Sequence, residues 1–197
     1  MQATRLESVI GSPSSDGSVA IASSELVALT VTPRDAADNA LIGTTTLTGS
    51  AGIGVVPSGD GVYDVAASDA GAGSISGGLV GGPSFALTLR IEEPTAIVAL
   101  VAVAAPPALA TDGNDHLVDV TATPSDALGP VYGMGCGWTV ADPSVTIVAP
   151  ADDKAVWEPS LTLPAGVVTT FRLPAGMTQT TATCSINGVS TQVTLGQ

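Results

Sequence analysis

Three features point to an all-β chain made of two related sandwich domains: an internal repeat, a composition of small β-formers, and dense turn signals. The repeat is the firmest. "LVALTVTPRDA" at residues 26–36 returns as "LVDVTATPSDA" at 117–127, an offset of 91 with seven of eleven positions identical. Both stretches are rich in Val and Thr and stop at a Pro before a polar turn. Their faces agree as well. Val27, Leu29 and Val31 share one side, and Val118, Val120 and Ala122 share the matching side of the second copy. A duplicated unit of that period follows. Of 197 residues 45% are hydrophobic but only 3% aromatic, so the cores must be built from Ala, Val and Leu. The 23 Gly and 14 Pro mark frequent turns, and helical periodicity is hard to find.

Residues 1–93 form the first domain, the divergent copy. "TRLESVI" (4–10) reads as an opening strand, and "GSPSSDGS" (11–18) as the loop after it. The repeated strand follows at 25–32, then the turn "RDAADN" (34–39) and a Thr-rich strand near 43–48. "GVYDVAAS" (61–68) and "FALTLRI" (85–91) are later strands. Between them, 69–84 is glycine-rich enough for a linker, but Ile75, Leu79 and Val80 suggest a glycine-interrupted strand and hairpin. "EEPT" (92–95) is the joint, short enough that the domains should be coupled in orientation, making a short, acidic, semi-rigid rod.

The second domain, 94–197, opens with "AIVALVAVAA" (96–105), ten apolar residues that end in Pro106-Pro107. A bilayer span needs about 20 residues, so this run is too short to cross one. A sandwich strand should alternate, yet Val98, Leu100 and Ala102 are as apolar as Ile97, Val101 and Val103. An edge strand with two apolar faces invites pairing. Ile97, Val98, Leu100, Val101 and Val103 are therefore the candidate assembly interface. Further on, "CGWTV" (136–140) puts Cys136, Trp138 and Val140 on one face, and "TATCSI" (181–186) does the same for Ala182, Cys184 and Ile186. "VSTQVTL" (189–195) follows, with Asn187-Gly188 between these last two as a type I′ hairpin turn.

The second domain resembles the bacterial immunoglobulin-like (Big-type) domains. The resemblance rests on "GWTVADPSVTIV" (137–148) and on the closing hairpin "TTATCSINGVSTQVTL" (180–195). The first is similar through "LTVTPRDAADNALIG" (29–43), the strand-then-D-x-x-x-N opening of intimin and invasin modules. The resemblance implies two tandem Ig-like β-sandwich domains. It also implies one of two settings, bacterial surface adhesins or the virion proteins of tailed phages. The chain begins with Met, carries no signal peptide in "MQATRLESVI", and ends two residues after its last strand. The expectation is a non-enzymatic phage virion structural protein made in the host cytoplasm. Its role would be a capsid decoration or accessory protein, docking through one domain and projecting the other onto no enzymatic task. An adhesin module and a tail or baseplate component are the alternatives. The expected partners are capsid or other virion proteins in a multi-copy assembly.

With the second domain read as Ig-like, Cys136 falls on strand C and Cys184 on strand F of one sheet. They form either a cross-strand disulfide, at a closely opposed non-hydrogen-bonded pair, or two small buried hydrophobes that face each other. Trp138 reads as core.

Charge and motifs exclude more than they offer. Eighteen acids stand against Arg5, Arg34, Arg90, Lys154 and Arg172, a net charge of −13. Such a surface repels phosphate backbones and anionic lipid, so neither nucleic acid nor membrane is an expected partner. No cofactor and no catalytic residue is expected. His116 is the only histidine, and no G-x-S-x-G elbow accompanies it, so it reads as a surface-loop residue. "TDGNDHL" (111–117) offers Asp112, Asn114 and Asp115 as oxygen donors, and "RDAADN" offers Asp35, Asp38 and Asn39. Each reads better as a polar turn, with weak Ca²⁺ binding as the alternative. Lys154, the only lysine, would have to serve any Lys–Asn isopeptide, but "ADDKAVWE" (151–158) reads as a solvated turn. Tyr63 and Trp157 each precede an acid and suggest equivalent positions in the two copies.

Overall fold

The computed structural model of the chain describes residues 3, 5–9, 11, 13–110, 113–149 and 167–196. It divides into two compact units, one running Met1–Glu93 and the other beginning at Pro94. Both are all-β sandwiches.

In the first unit the strands are β1 (Arg5–Val9), β2 (Val19–Ala22), β3 (Leu26–Arg34), β4 (Thr45–Gly49), β5 (Ile53–Gly59), β6 (Val62–Ala67), β7 (Gly71–Leu79) and β8 (Ser84–Glu92). One sheet has the order β1-β3-β6-β5, the other β2-β8-β7-β4, with β2 parallel to β8 and the remaining pairs antiparallel. Period-two alternation decides which residues go inside. Val27, Leu29 and Val31 of β3 and Val65 of β6 are buried from the first sheet, as are Ile75, Leu89 and Ile91 from the second. Pro33 lies beyond the stretch of β3 that pairs with β6, where its missing N–H breaks no second ladder.

The second unit contains β9 (Ala99–Ala104), β10 (Ala108–Leu109), β11 (His116–Ser125), β12 (Val131–Tyr132), β13 (Gly137–Val140), β14 (Thr146–Ala149), β15 (Val167–Leu173), β16 (Gln179–Ile186) and β17 (Val189–Gly196). One sheet runs β10-β11-β15-β14, with β9 also paired to β11, and the other runs β13-β16-β17. Their facing sides interlock in one core: Val118 and Val120 of β11, Phe171 and Leu173 of β15, Ala182 of β16 and Leu195 of β17.

Lettered A to G in chain order with β2, β10 and β12 left out as additional strands, both units give A-B-E-D in one sheet and C-F-G in the other, the strand order of the immunoglobulin sandwich. The repeated phrase is strand B in each, as β3 and β11. Six strands lie where the sequence reading places none: β2, β5, β10, β12, β14 and β15. β2 fills the gap after the first loop, β5 is interrupted by Pro57 and a register shift, and β15 carries Val167, Thr169, Phe171 and Leu173 inward. Of the expected opening strand 4–10, Thr4 and Ile10 lie outside the described residues. Asn187 and Gly188 take φ of 45° and 85°, as a type I′ turn requires, and join Ile186 to Val189.

Candidate docking surface

β9 lies at an edge of its sheet, and its faces are unlike each other. Leu100, Ala102 and Ala104 point inward, and Ala102 and Ala104 pack on the core of the second unit. Val101 and Val103 point outward at 57% and 60% exposure, and Val98, just ahead of the strand, reaches 62%. This corrects the expected five-residue interface. Ile97 and Leu100 are buried, at 3% and 8%, and offer nothing to a partner. The cause is local. A 3₁₀ turn at Pro94–Ala96, closed by Ile97 N–H donating to the Pro94 carbonyl, delivers Ile97 inward. Strand alternation then restarts at Leu100. Three exposed valines remain, beside the outward Thr121 and Thr123 of β11 that pair with Val103 and Val101.

A second exposed apolar group escaped the sequence reading. Ile42, in the β3–β4 loop, and Val80, in the β7–β8 turn, are both fully exposed. The pairing of Thr45 with Leu79 brings their two loops side by side. The available signal was an aliphatic residue beside Gly in each loop, Ile42 before Gly43 and Val80 before Gly81.

Cys136 and Cys184 are disulfide-bonded, with Cα atoms 5.7 Å apart. The bond stays within one sheet, but not at a directly opposed pair. Cys184 faces Trp138 across the ladder, and Cys136 sits one residue before β13, so the link is diagonal. Trp138 packs on the second core, edge-on to Phe171 at 5.1 Å between ring centroids. Its indole Nε1–H donates to Thr169 Oγ1 at 3.1 Å, across the two sheets. The first unit also joins strands E and C by an aromatic–threonine bond, with the aromatic on strand E. Tyr63 of β6 (strand E) reaches Thr45 of β4 (strand C), its hydroxyl donating to the Thr45 carbonyl at 2.8 Å and also bonding its hydroxyl. Tyr63 faces Leu29, and Thr169 faces Val120, two residues that are equivalent in the repeat. The position equivalent to Tyr63 is therefore Thr169, not Trp157, which lies outside the described residues.

The two acidic turns hold their carboxylates in internal hydrogen bonds. Asp35 Oδ1 accepts from the backbone N–H of Ala37 and of Asn39, both at 2.9 Å, and Asn39 Nδ2 donates to both carboxylate oxygens. Asn39's side chain, then its backbone N–H, holds the Asp35 pKa below the usual carboxylate value. Asp115 accepts from Arg172 Nε at 2.7 Å and from the Ala175 N–H at 3.0 Å. Asp112 and Lys154 lie outside the described residues, and among the described ones no three His, Cys, Asp or Glu converge as a metal site. His116 is half-buried at the start of β11, paired with Leu109 and Leu173, rather than in a surface loop.

Every described arginine meets a carboxylate. Arg5 contacts Asp38, Arg34 contacts Glu7 at 2.6 Å, Arg90 contacts Glu92 at 2.6 Å and Asp16 at 3.1 Å, and Arg172 contacts Asp115. The basic charge is thus spent locally, and the surplus of acids sets the outer field.

No known family's sequence pattern matches the chain, and no curated protein does. Among solved structures, domains 5–6 of the S-layer protein SbsC are similar over 96% of this chain and 97% of theirs, at 15% identity and a TM-score of 0.45. The Yersinia pseudotuberculosis adhesin InvE is similar over 90% of this chain and 56% of its own, at 20% identity and a TM-score of 0.33. The D00-D0 domain of intimin is similar over 96% of both chains, at 10% identity and a TM-score of 0.31.

Proposed function

We propose that this chain is a non-enzymatic structural protein of a virion, a capsid decoration protein present in many copies. Its second unit docks and its first unit projects. The observation that carries the reading is the exposed valine edge of β9, Val98, Val101 and Val103, on a chain of net charge −13. Burial of those side chains would supply the attraction, since the arginines are already paired and the remaining acids repel other acidic surfaces. The partners are capsid or other virion proteins, with neither nucleic acid nor membrane among them.

One observation favours a second reading, an adhesin module at the bacterial surface. The Cys136–Cys184 bond is of the kind that persists in oxidising compartments and is rare in the cytosol. Fractionating a lysate on a density gradient and counting copies per particle separates the two. Hundreds of copies banding with DNA-filled particles would support capsid decoration, and a few to tens would move the protein to the neck or tail. Sedimentation with cell envelopes would overturn the virion reading in favour of the adhesin.

A further inference from the structure

The segment leading into β13 is rich in glycine. Gly133, Gly135 and Gly137 alternate with Met134 and Cys136, and Gly133 takes a φ of 79°. Glycine loses more conformational freedom on ordering than any other residue, so this lead-in contributes little to its own order. β13 itself is four residues long and, among the described residues, lies at the edge of its sheet and pairs only with β16. Downstream it is well tied. Ala141 N–H donates to the Thr181 carbonyl at 2.9 Å, and Asp142 caps the following turn through Ser144. Upstream, the disulfide, the buried Met134 and the buried Val131 and Tyr132 of β12 are its anchors.

Cys184 is fully buried on the central strand β16, whereas Cys136 is half-exposed. Short edge elements with few ladder bonds are where proteins open locally before they unfold globally. We propose that the Cys136–Cys184 bond is a redox latch on β13. Closed, it holds the edge strand and Trp138 against the sandwich. In the dithiol form β13 leaves β16 and Trp138 leaves Phe171 and Thr169, while the β11–β15 ladder stays folded. This holds whether the chain serves a particle or a cell surface.

The chemistry is thiol–disulfide exchange with a small-molecule disulfide such as oxidised glutathione. The Cys136 thiolate, half-buried but more accessible than Cys184, attacks it and releases one glutathione thiolate. Cys184 then attacks the mixed disulfide at Cys136 and releases the second. Two electrons pass from the protein's sulfurs to the glutathione disulfide, and the two thiol protons end on the departing glutathiones. A reducing environment runs the same steps backwards.

Hydrogen–deuterium exchange on the full chain, oxidised and then reduced with a phosphine, tests the latch. On reduction, peptides covering 133–141 should exchange at least about tenfold faster, while those covering β11 and β15 keep their protection. Cys136→Ser should show the reduced pattern without any reductant. Unchanged exchange over β13 would overturn the proposal. Loss of protection across β11 and β15 would overturn it too, since the bond would then be holding the whole unit. So would two titratable thiols in protein incubated with oxidised glutathione.

Discussion

At the scale of single residues, the aromatic–threonine bond does the same work in both units with opposite occupancy. In the first, strand E supplies Tyr63 and strand C supplies Thr45; in the second, strand C supplies Trp138 and strand E supplies Thr169. Trp138→Phe keeps the contact with Phe171 but drops the Nε1–H donor, and should cost about 1–2 kcal/mol in urea unfolding. Trp138→Thr combined with Thr169→Tyr moves the aromatic to strand E, where the first unit carries it. It should be less destabilising than the sum of the two single changes by about 1 kcal/mol or more, measured by a double-mutant cycle. Asp35 sets a pH dependence of definite sign. Asn39 and the Ala37 amide lower its pKa, so its contribution is complete above the unfolded value near about 4 and is lost as pH falls through the lower folded value. Asp142, held down by Ser144, and Asp16, held down by Ser18 and then Arg90, act in the same direction. The melting temperature should therefore fall below about pH 4, and fall less steeply in Asp35→Asn.

At the scale of strands and turns, what could be read in advance was what alternates locally. The repeated phrase placed Val27, Leu29 and Val31, and Val118, Val120 and Ala122, on the buried face, where all six lie. Asn187-Gly188 carried its turn type in two residues, because φ above zero is tolerated there and penalised for β-branched side chains. Asn187→Val should cost about 1–2 kcal/mol, measured as a lower urea midpoint for the second unit. Other elements gave weaker signals. β15 alternates cleanly, but two of its inward residues are Thr169 and Phe171, so it lacks the Val/Leu rhythm of the rest. β5 is broken by Pro57, and β2, only four residues long, is buried at every position and shows no alternation. β9 read as apolar on both faces, and which valines stay exposed depends on the 3₁₀ turn before it, a feature that periodicity does not encode. The diagonal placement of the disulfide likewise depends on register, which a strand's own sequence leaves open.

At the scale of the whole chain, charge and apolar surface divide the labour. With its arginines paired, the acidic excess sets up repulsion between copies, while the exposed Val101 and Val103 of β9 carry no charge. Replacing Val101 and Val103 together by Ser should leave the unfolding midpoint within about 0.5 kcal/mol of the parent, because both side chains are already solvated. If the chain decorates a particle as proposed, the same double variant should reduce the number of copies bound per particle by at least tenfold, read from purified particles by quantitative mass spectrometry. Leu100→Ser should instead unfold the second unit first, since its side chain is buried.

The exchanged aromatic and threonine also bear on how a duplicated chain avoids confusing its own halves. If strand C of one copy inserted into the other, the hybrid would hold no aromatic between strands C and E in one case and two in the other, too little side chain in the first and too much in the second. Strand exchange between the copies during folding is thereby penalised. So is any gene shortened by recombination between the repeats, when the crossover falls between strands C and E: its single hybrid domain would inherit a mismatched pair.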